Sequence, residues 1–562
     1  MRCTFSFLFI VFCSLQLYAE PKASFWDDTP ADQLVEQLLD AMSDEELLGQ
    51  VFLLGYSGTI PSPEILEWIS ARSIGGVKIF GWNASNLGEL AVSISAMQRA
   101  AQETEFSIPL FVATDQEGGW VRHVKGETSV TAGNMAIGAT GLAYDAFQSG
   151  WFIGIELRTL GINMNFAPTV DVYTNPQAQV IGPRAFSDDP LQISMLSIAF
   201  FKGLDSAGII STAKHFPGHG DADKDSHGTL PAIDVSLETM WERELLPYRF
   251  LSREGLPAVM SGHLGFPNIL PEEMPASLSR FFQTEILRNR IGFEGIVITD
   301  DLRMHGARHN GLSLPEICIQ ALEAGNDMIM LSRTPGLNDD VWTALMEKYT
   351  AEPEFRERIR EAVSRILMTK IAYIKSKKGV PLYPDAEEIE THFPSEPGKN
   401  FFFDLACRSV TVLKEKFIPF NPAGDDVKIL LAGQFTRFLD AGGKRYPQAD
   451  RFYFPYSPFE TARQRDIRQL TALAPGYDYI IFCLANPNSL EVLSTLRETG
   501  TPVLVISALT PIYLKEVPWV ESAIAVYGTG KESFEAGFAV LKGDFEAEGT
   551  IPLTVFKDMG SP

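Results

Sequence analysis

A TIM-type (β/α)8 barrel followed by a smaller α/β (αβα) sandwich is the fold class that this sequence predicts. Three observations predict it. Short apolar runs alternate with longer helical segments across residues 51–331, the pattern of strands joined through helices into a parallel sheet. Eight such runs are present, the number that closes a barrel. Runs such as Gly295–Thr299 (GIVIT) and Asp327–Leu331 (DMIML) are apolar throughout rather than alternating, as strands covered on both faces must be.

Taken in order, the predicted strands are Val51–Gly55, Gly76–Phe80, Leu110–Thr114, Met164–Pro168, Gly208–Ala213, Ala258–Gly262, Gly295–Thr299 and Asp327–Leu331. Helices are predicted between them at Ser62–Arg72, Asn86–Thr104, Tyr144–Leu160, Pro190–Ala207, Ser236–Glu254, Leu278–Ile291 and Leu314–Ala324. A long helix from Pro353 closes the unit, since proline suits a first helical turn. The barrel domain is therefore placed at residues 28–378. Residues 379–400 are rich in Pro, Gly and charge and read as a linker. From 401 to 562 the alternation resumes in VTVLKE, VKILLAG, YIIFCLA, PVLVISA and SAIAVYG, which predicts a smaller domain of parallel strands.

Residues 1–19 read as an export signal. Arg2 supplies the positive start, Phe5 to Leu17 is too short an apolar run to span a bilayer, and Leu17-Tyr18-Ala19 suits cleavage before Glu20. The expected location is therefore periplasmic or secreted, with lipoprotein anchoring at Cys13 the minor alternative. No integral membrane span is expected in the mature chain. Cys318, Cys407 and Cys483 would remain, odd in number and far apart, and read as structural thiols. The formal net charge of −24 over 562 residues argues against nucleic acid as a partner. Composition does not speak to the oligomeric state.

The densest chemistry lies in Ala213–Gly228, AKHFPGHGDADKDSHG, which holds Lys214, His215, His219, Asp225 and His227. Pro217, Gly218 and Gly220 exclude a regular helix, so an exposed loop is expected. His215 and His219 have a zinc-binding spacing only on a helix; no metal and no cofactor are expected. Proton transfer is favoured instead. Asp225 and His227 are two residues apart and, in extended chain, point the same way. A carboxylate that accepts the imidazole N–H makes the other ring nitrogen a better proton carrier.

Further polar residues fall at strand ends: Asp115 after PLFVAT, Asp171 after NFAPTV, Lys214 and His215 after IISTA, His263 after AVMSG and Asp300 after GIVIT. Barrel enzymes assemble their sites there. Asp300 and Asp301 are adjacent, so one of them at most faces a shared substrate. A rim carboxylate with a carboxylate-held imidazole suits two-step displacement at an acetal carbon; hydrolysis of an amide or phosphate on a barrel also fits these residues.

KHFPGHG followed by DSH, DQEGG at Asp115–Gly119, NFAPTVD at Asn165–Asp171, PRAF at Pro183–Phe186 and ITDDLRM at Ile298–Met304 together resemble glycoside hydrolase family 3. The DSH form resembles its β-N-acetylglucosaminidase branch. The resemblance implies a retaining, metal-free enzyme acting on an N-acetylglucosamine-containing glycan. It implies Asp300 as nucleophile, His227 as acid/base and Asp225 as its assistant. It implies sugar contacts from Asp115, Arg184, Lys214 and His215; Asp188 or Asp189 offers Arg184 a salt bridge as the alternative. The family pattern GGxVxR reads GGWVRHV here, so that Arg122 comes one place early and His123 stands where the arginine is expected. Both are candidates for the sugar contact. Trp120 reads as a rim or core aromatic, and His263 as a holder of Asp300 or Lys214.

The expected function is therefore a retaining exo-β-N-acetylhexosaminidase, with peptidoglycan turnover as one setting. Alternatives are a β-glucosidase-type member, an N-acetylglucosaminide phosphorylase, which an imidazole in place of a carboxylate would favour by admitting phosphate, or a sugar-binding protein without activity.

Overall fold

A computed structural model describes residues 23–559, apart from 223, 271–273, 309–310 and 424–425. The expected export signal, its cleavage site, Cys3 and Cys13 lie outside the described residues. No described helix is long and apolar enough to cross a membrane.

Eight parallel strands close the barrel. They are β1 (Phe52–Gly55), β2 (Gly76–Ile79), β3 (Phe111–Thr114), β6 (Met164–Asn165), β7 (Ile210–Phe216), β8 (Ala258–Ser261), β9 (Ile296–Asp301) and β10 (Met328–Leu331), with β1 meeting β10. Between β3 and β6 a small antiparallel hairpin, β4 (Gln116–Gly118) and β5 (Val121–Arg122), rises from the rim. It was not expected from the sequence, because two short strands with a Gly-Gly turn leave no periodic signal. Gly118 and Gly119 turn it at φ of 94° and 58°, and a Cβ on Gly119 would stand 2.8 Å from Gly133 Cα.

Local chemistry explains where the helices begin. Ser62 accepts the Ile65 N–H ahead of Pro63–Arg72, and Asp189 accepts those of Leu191 and Gln192 ahead of Pro190–Ser206. In both helices proline occupies the first turn, where no donor is needed. The single helix expected over Ser236–Glu254 is instead two, Leu237–Glu242 and Leu246–Arg253. Pro247 lacks the N–H that a continuous helix would require there. The segment Phe281–Arg290 is a π-helix.

The expected linker is partly helical: Ala386–His392 lies within it, and the helix Glu396–Ser409 starts before residue 401. The second domain is a six-stranded sheet in the order β11 (Thr411–Glu415), β16 (Ser522–Ala525), β15 (Val503–Ser507), β14 (Tyr479–Leu484), β12 (Ile429–Gly433) and β13 (Asp450–Tyr453). It is mixed rather than all parallel, since β11 runs antiparallel to β16. β13 was missed because DRFY is polar and largely exposed, as an edge strand can be. Cys318 and Cys483 are buried free thiols, and Cys407 is a half-buried one.

The domains share several contacts. Phe152 stacks on Phe401 at 5.3 Å, and Arg408 pairs with the buried Asp145 at 2.6 Å. The C-terminal tail returns to the barrel, where Pro552 O accepts from Ser187 Oγ at 2.8 Å and Asp188 accepts from Thr554 N at 2.7 Å. At the barrel rim Trp120 meets Tyr456 of the second domain at 5.4 Å.

Candidate active site

β2, β3 and β7 bring a charged cluster to the C-terminal mouth of the barrel. Lys214 on β7 donates to Asp115 at 2.5 Å and to Glu117 at 2.6 Å. Arg184 grips Glu117 with two parallel bonds of 2.8 and 2.9 Å. Asp188 and Asp189 do not pair with Arg184: Asp188 takes Thr554, and Asp189 caps the next helix. Burial alone would raise the Glu117 carboxyl, but the charges of Arg184 and Lys214 override it and hold it at about 2. Asp115 is likewise opposed by burial and held well below its usual range by Lys214 and Lys78.

β7 carries Lys214 and His215 within the strand rather than after it. Its pairing with β8 shifts register between Ala213 and Phe216, and such an irregularity re-aims side chains at a rim. His215 Nδ1 lies 2.8 Å from Asp171 Oδ2, and its Nε2 lies 3.2 Å from Arg184 Nη2. Arginine is donor-only, so Nε2 accepts and Nδ1–H donates to Asp171. Both nitrogens are thus engaged, which leaves none for a metal. The loop from Pro217 is less exposed than expected: His215 and His219 are buried. Asp171 also accepts the His219 backbone N–H at 2.7 Å, which pins the loop's start.

Beyond that point the loop emerges into solvent. Asp225 Oδ1 accepts from His227 Nδ1 at 2.7 Å and from its backbone N–H at 3.0 Å. The His227 side chain is 72% exposed. The Asp225 hydrogen bond raises its pKa, burial opposes this, and the charges of Asp225 and Asp300 add to the rise. The His227 bond in turn lowers Asp225 to about 2.

β9 ends in the two aspartates, and they diverge as adjacent strand residues must. Asp301 turns to backbone, accepting from Ser332 N and Arg303 N at 3.1 Å each. Asp300 shares the mouth with the cluster. Burial pushes its carboxyl up, but His263, His215, the Asp301 N–H and Lys214 outweigh that and hold it below its usual value. His263 holds neither Asp300 nor Lys214 by hydrogen bond; its Nε2 lies 3.1 Å from the Asp301 carbonyl and its Nδ1 2.7 Å from Ser277 Oγ. Burial lowers its pKa, and it braces the end of β9 through the Asp301 carbonyl.

The hairpin separates the two candidates in GGWVRHV. His123 N donates to Asp115 O at 3.0 Å, and its Nδ1 lies 3.5 Å from Asp115 Oδ2. Arg122, one residue earlier, faces the other way and donates to the carbonyls of Thr128 and Ser129 at 3.2 and 2.9 Å. Of the two, His123 is therefore the one beside Asp115, and the Arg122 guanidinium is engaged by the Thr128 and Ser129 carbonyls.

Sequence reasoning missed three members. Glu117 was inside a quoted motif but given no role. Asp171 was placed at a strand end without its partner His215. Lys78, on β2 and 1% exposed, bonds Asp115 Oδ2 at 2.6 Å. Its signal was a lone cation in the apolar run GVKIF.

Comparison with known proteins bears on the family and the fold. Residues 39–369 match the glycosyl hydrolase family 3 N terminal domain. The chain is similar to beta-hexosaminidase A of Pseudoalteromonas piscicida, 38% identical over 289 residues, covering 49% of this chain and 48% of that protein. It therefore spans about half the length of that relative. A beta-hexosaminidase of Neisseria meningitidis serogroup A is 36% identical over 276 residues, covering 48% of this chain and 74% of its own. Among solved structures, a glycoside hydrolase family 3 beta-N-acetylglucosaminidase from Paenibacillus sp. str. FPU-7 superposes with a TM-score of 0.79 at 27% identity, covering 91% of this chain and 99% of that one.

Proposed function

Since the chain belongs to glycosyl hydrolase family 3, we propose that it is a retaining exo-β-N-acetylhexosaminidase that removes terminal β-linked N-acetylglucosamine. Asp300 attacks the anomeric carbon while His227 protonates the departing oxygen. Because Nδ1 of His227 is held by Asp225, Nε2 carries that proton. In the second step neutral Nε2 takes a proton from water, and the hydroxide oxygen displaces the sugar from Asp300. Asp115, Glu117, Arg184, Lys214 and His215 form the wall that receives the sugar.

One observation carries this reading. The loop that holds the Asp225–His227 pair is bonded to the segment that leaves Asp300, Gly306 N donating to the Ser226 carbonyl and His305 N to that of His227. The beta-hexosaminidase relatives supply the sugar class. The test is a panel of 4-nitrophenyl glycosides. The N-acetylglucosaminide is expected to be turned over at least about tenfold faster in kcat/KM than the glucoside, about 1.4 kcal/mol of transition-state discrimination. Preference for the glucoside contradicts the proposal.

Export and peptidoglycan turnover form a second, separable part of the proposal. The apolar run at Phe5–Leu17 and the Ala19 end support export. N-terminal sequencing of the protein recovered from outside the cytoplasm is expected to begin at Glu20.

A further inference from the structure

Lys78 is the one charged residue of β2, and all three of its N–H donors are taken. Nζ bonds Asp115 Oδ2 at 2.6 Å and the Ile79 carbonyl at 3.1 Å, and lies 3.3 Å from His123 Nδ1. The ring faces of Phe80 and Phe166 stand at 4.8 and 5.1 Å and close off water. Burying an ammonium is costly unless it is paired and fully bonded, so this geometry answers a demand of the site. The demand is visible in the chain: His123 occupies the position where the GGxVxR pattern has an arginine.

The bond to His123 fixes a tautomer. An ammonium has no acceptor, so Nδ1 must be unprotonated to receive its hydrogen, and the ring proton of the neutral imidazole is then on Nε2. Burial and the Lys78 charge lower His123 to about 4, with Asp115 opposing, so the ring stays neutral at ordinary pH. Among the described residues Nε2 has no hydrogen-bond partner, and the side chain remains 29% exposed. It is a donor held ready at the edge of the pocket.

We propose that Lys78 is a positioning residue that, together with His123, replaces one guanidinium: Lys78 fixes Asp115 and the His123 tautomer, and His123 Nε2–H donates to a hydroxyl of the bound sugar. Lys78 on β2 and His123, just after β5, thus divide two tasks, one pairing with the carboxylate and the other reaching the ligand. This inference rests on the sugar-hydrolase reading given above.

Its test is a double-variant cycle assayed with 4-nitrophenyl β-N-acetylglucosaminide. Lys78→Met keeps the side-chain length but removes the donors, and is expected to raise KM by about tenfold or more, the loss of a charge-supported hydrogen bond, with a smaller fall in kcat. His123→Arg alone places a guanidinium against Lys78 and is expected to be impaired as well. The two together, Lys78→Met with His123→Arg, restore a single cation and are expected to return KM to within about threefold of the wild type. A merely structural lysine would give no such rescue, so a double variant no better than the worse single one overturns the inference. Histidine 15N NMR of the full chain is the independent readout. His123 protonated at Nε2, with the proton moving to a mixture of nitrogens in Lys78→Met, supports the inference; a proton on Nδ1 in the wild type overturns it. Wild-type protein inert on the N-acetylglucosaminide would instead contradict the functional reading, while the NMR arm would still decide the tautomer.

Discussion

The backbone N–H of Gly306 donates to the carbonyl of Ser226 at 2.9 Å, and so ties the loop that carries His227 to the segment that follows Asp300. His305 N reaches the His227 carbonyl at 3.4 Å beside it. Glycine is needed at 306 for contact rather than conformation: a Cβ there would lie 2.7 Å from Ser226 O and 3.2 Å from His263 Cβ.

Gly306→Val is therefore expected to lift the loop and misplace His227. A displacement on the order of 1 Å costs about 100-fold in rate. The expected result is a fall of that size in kcat with KM little changed, and a melting temperature close to the wild type's. Steady-state kinetics and calorimetry check it.

Asp225 raises the His227 pKa chiefly through its hydrogen bond. The first step needs His227 protonated, so a raised pKa carries activity to higher pH. Asp225→Asn removes the charge and weakens the bond, and the alkaline limb of the kcat profile is expected to move to lower pH. A limb left in place would mean that His227 does not govern it.

Glu117 is expected to matter for folding as well as for the site. Its folded pKa of about 2 lies below the ordinary glutamate value, so its contribution is present above that ordinary value and is lost as pH falls toward 2. Glu117→Gln leaves Arg184 and Lys214 short of a buried partner, a change that costs about 3–5 kcal/mol. Urea unfolding at neutral pH measures it, and the gap between wild type and variant should narrow below pH 4.5.

Glu156 has the opposite sign. It is buried, accepts from Ser129 Oγ at 2.6 Å, and is pushed up to about 7 by burial against its hydrogen bonds and Arg122. The folded state holds this proton more tightly than the unfolded chain, so stability falls as pH rises from about 4.5 toward 7. Glu156→Gln is expected to flatten that slope in thermal melts taken across the window.

The barrel was legible because its strands are apolar runs of the right number, and each of the eight starts within two residues of its expected place. The Asp225–His227 pair was legible through spacing, and the place of Asp300 at the end of β9 through the apolar run before it. What was not legible depended on three-dimensional partners. Arg122 and His123 are adjacent, and only the hairpin decides which faces Asp115. Lys78 lies well before Asp115 in the chain and meets it because β2 and β3 are neighbours, with Lys78 paired to Ala113. Nor does the sequence tell β11 from a parallel strand, since a short apolar run carries no signal of pairing direction.

The central claim is a covalent bond from the sugar to Asp300. Incubation with a 5-fluoro-N-acetylglucosaminyl fluoride, followed by proteolysis and mass spectrometry, tests it most directly. The account predicts one added sugar on the peptide containing Asp300, placed by fragmentation on Asp300 rather than Asp301. A label on Asp115 or Asp301, or inactivation without any labelled carboxylate, would contradict it.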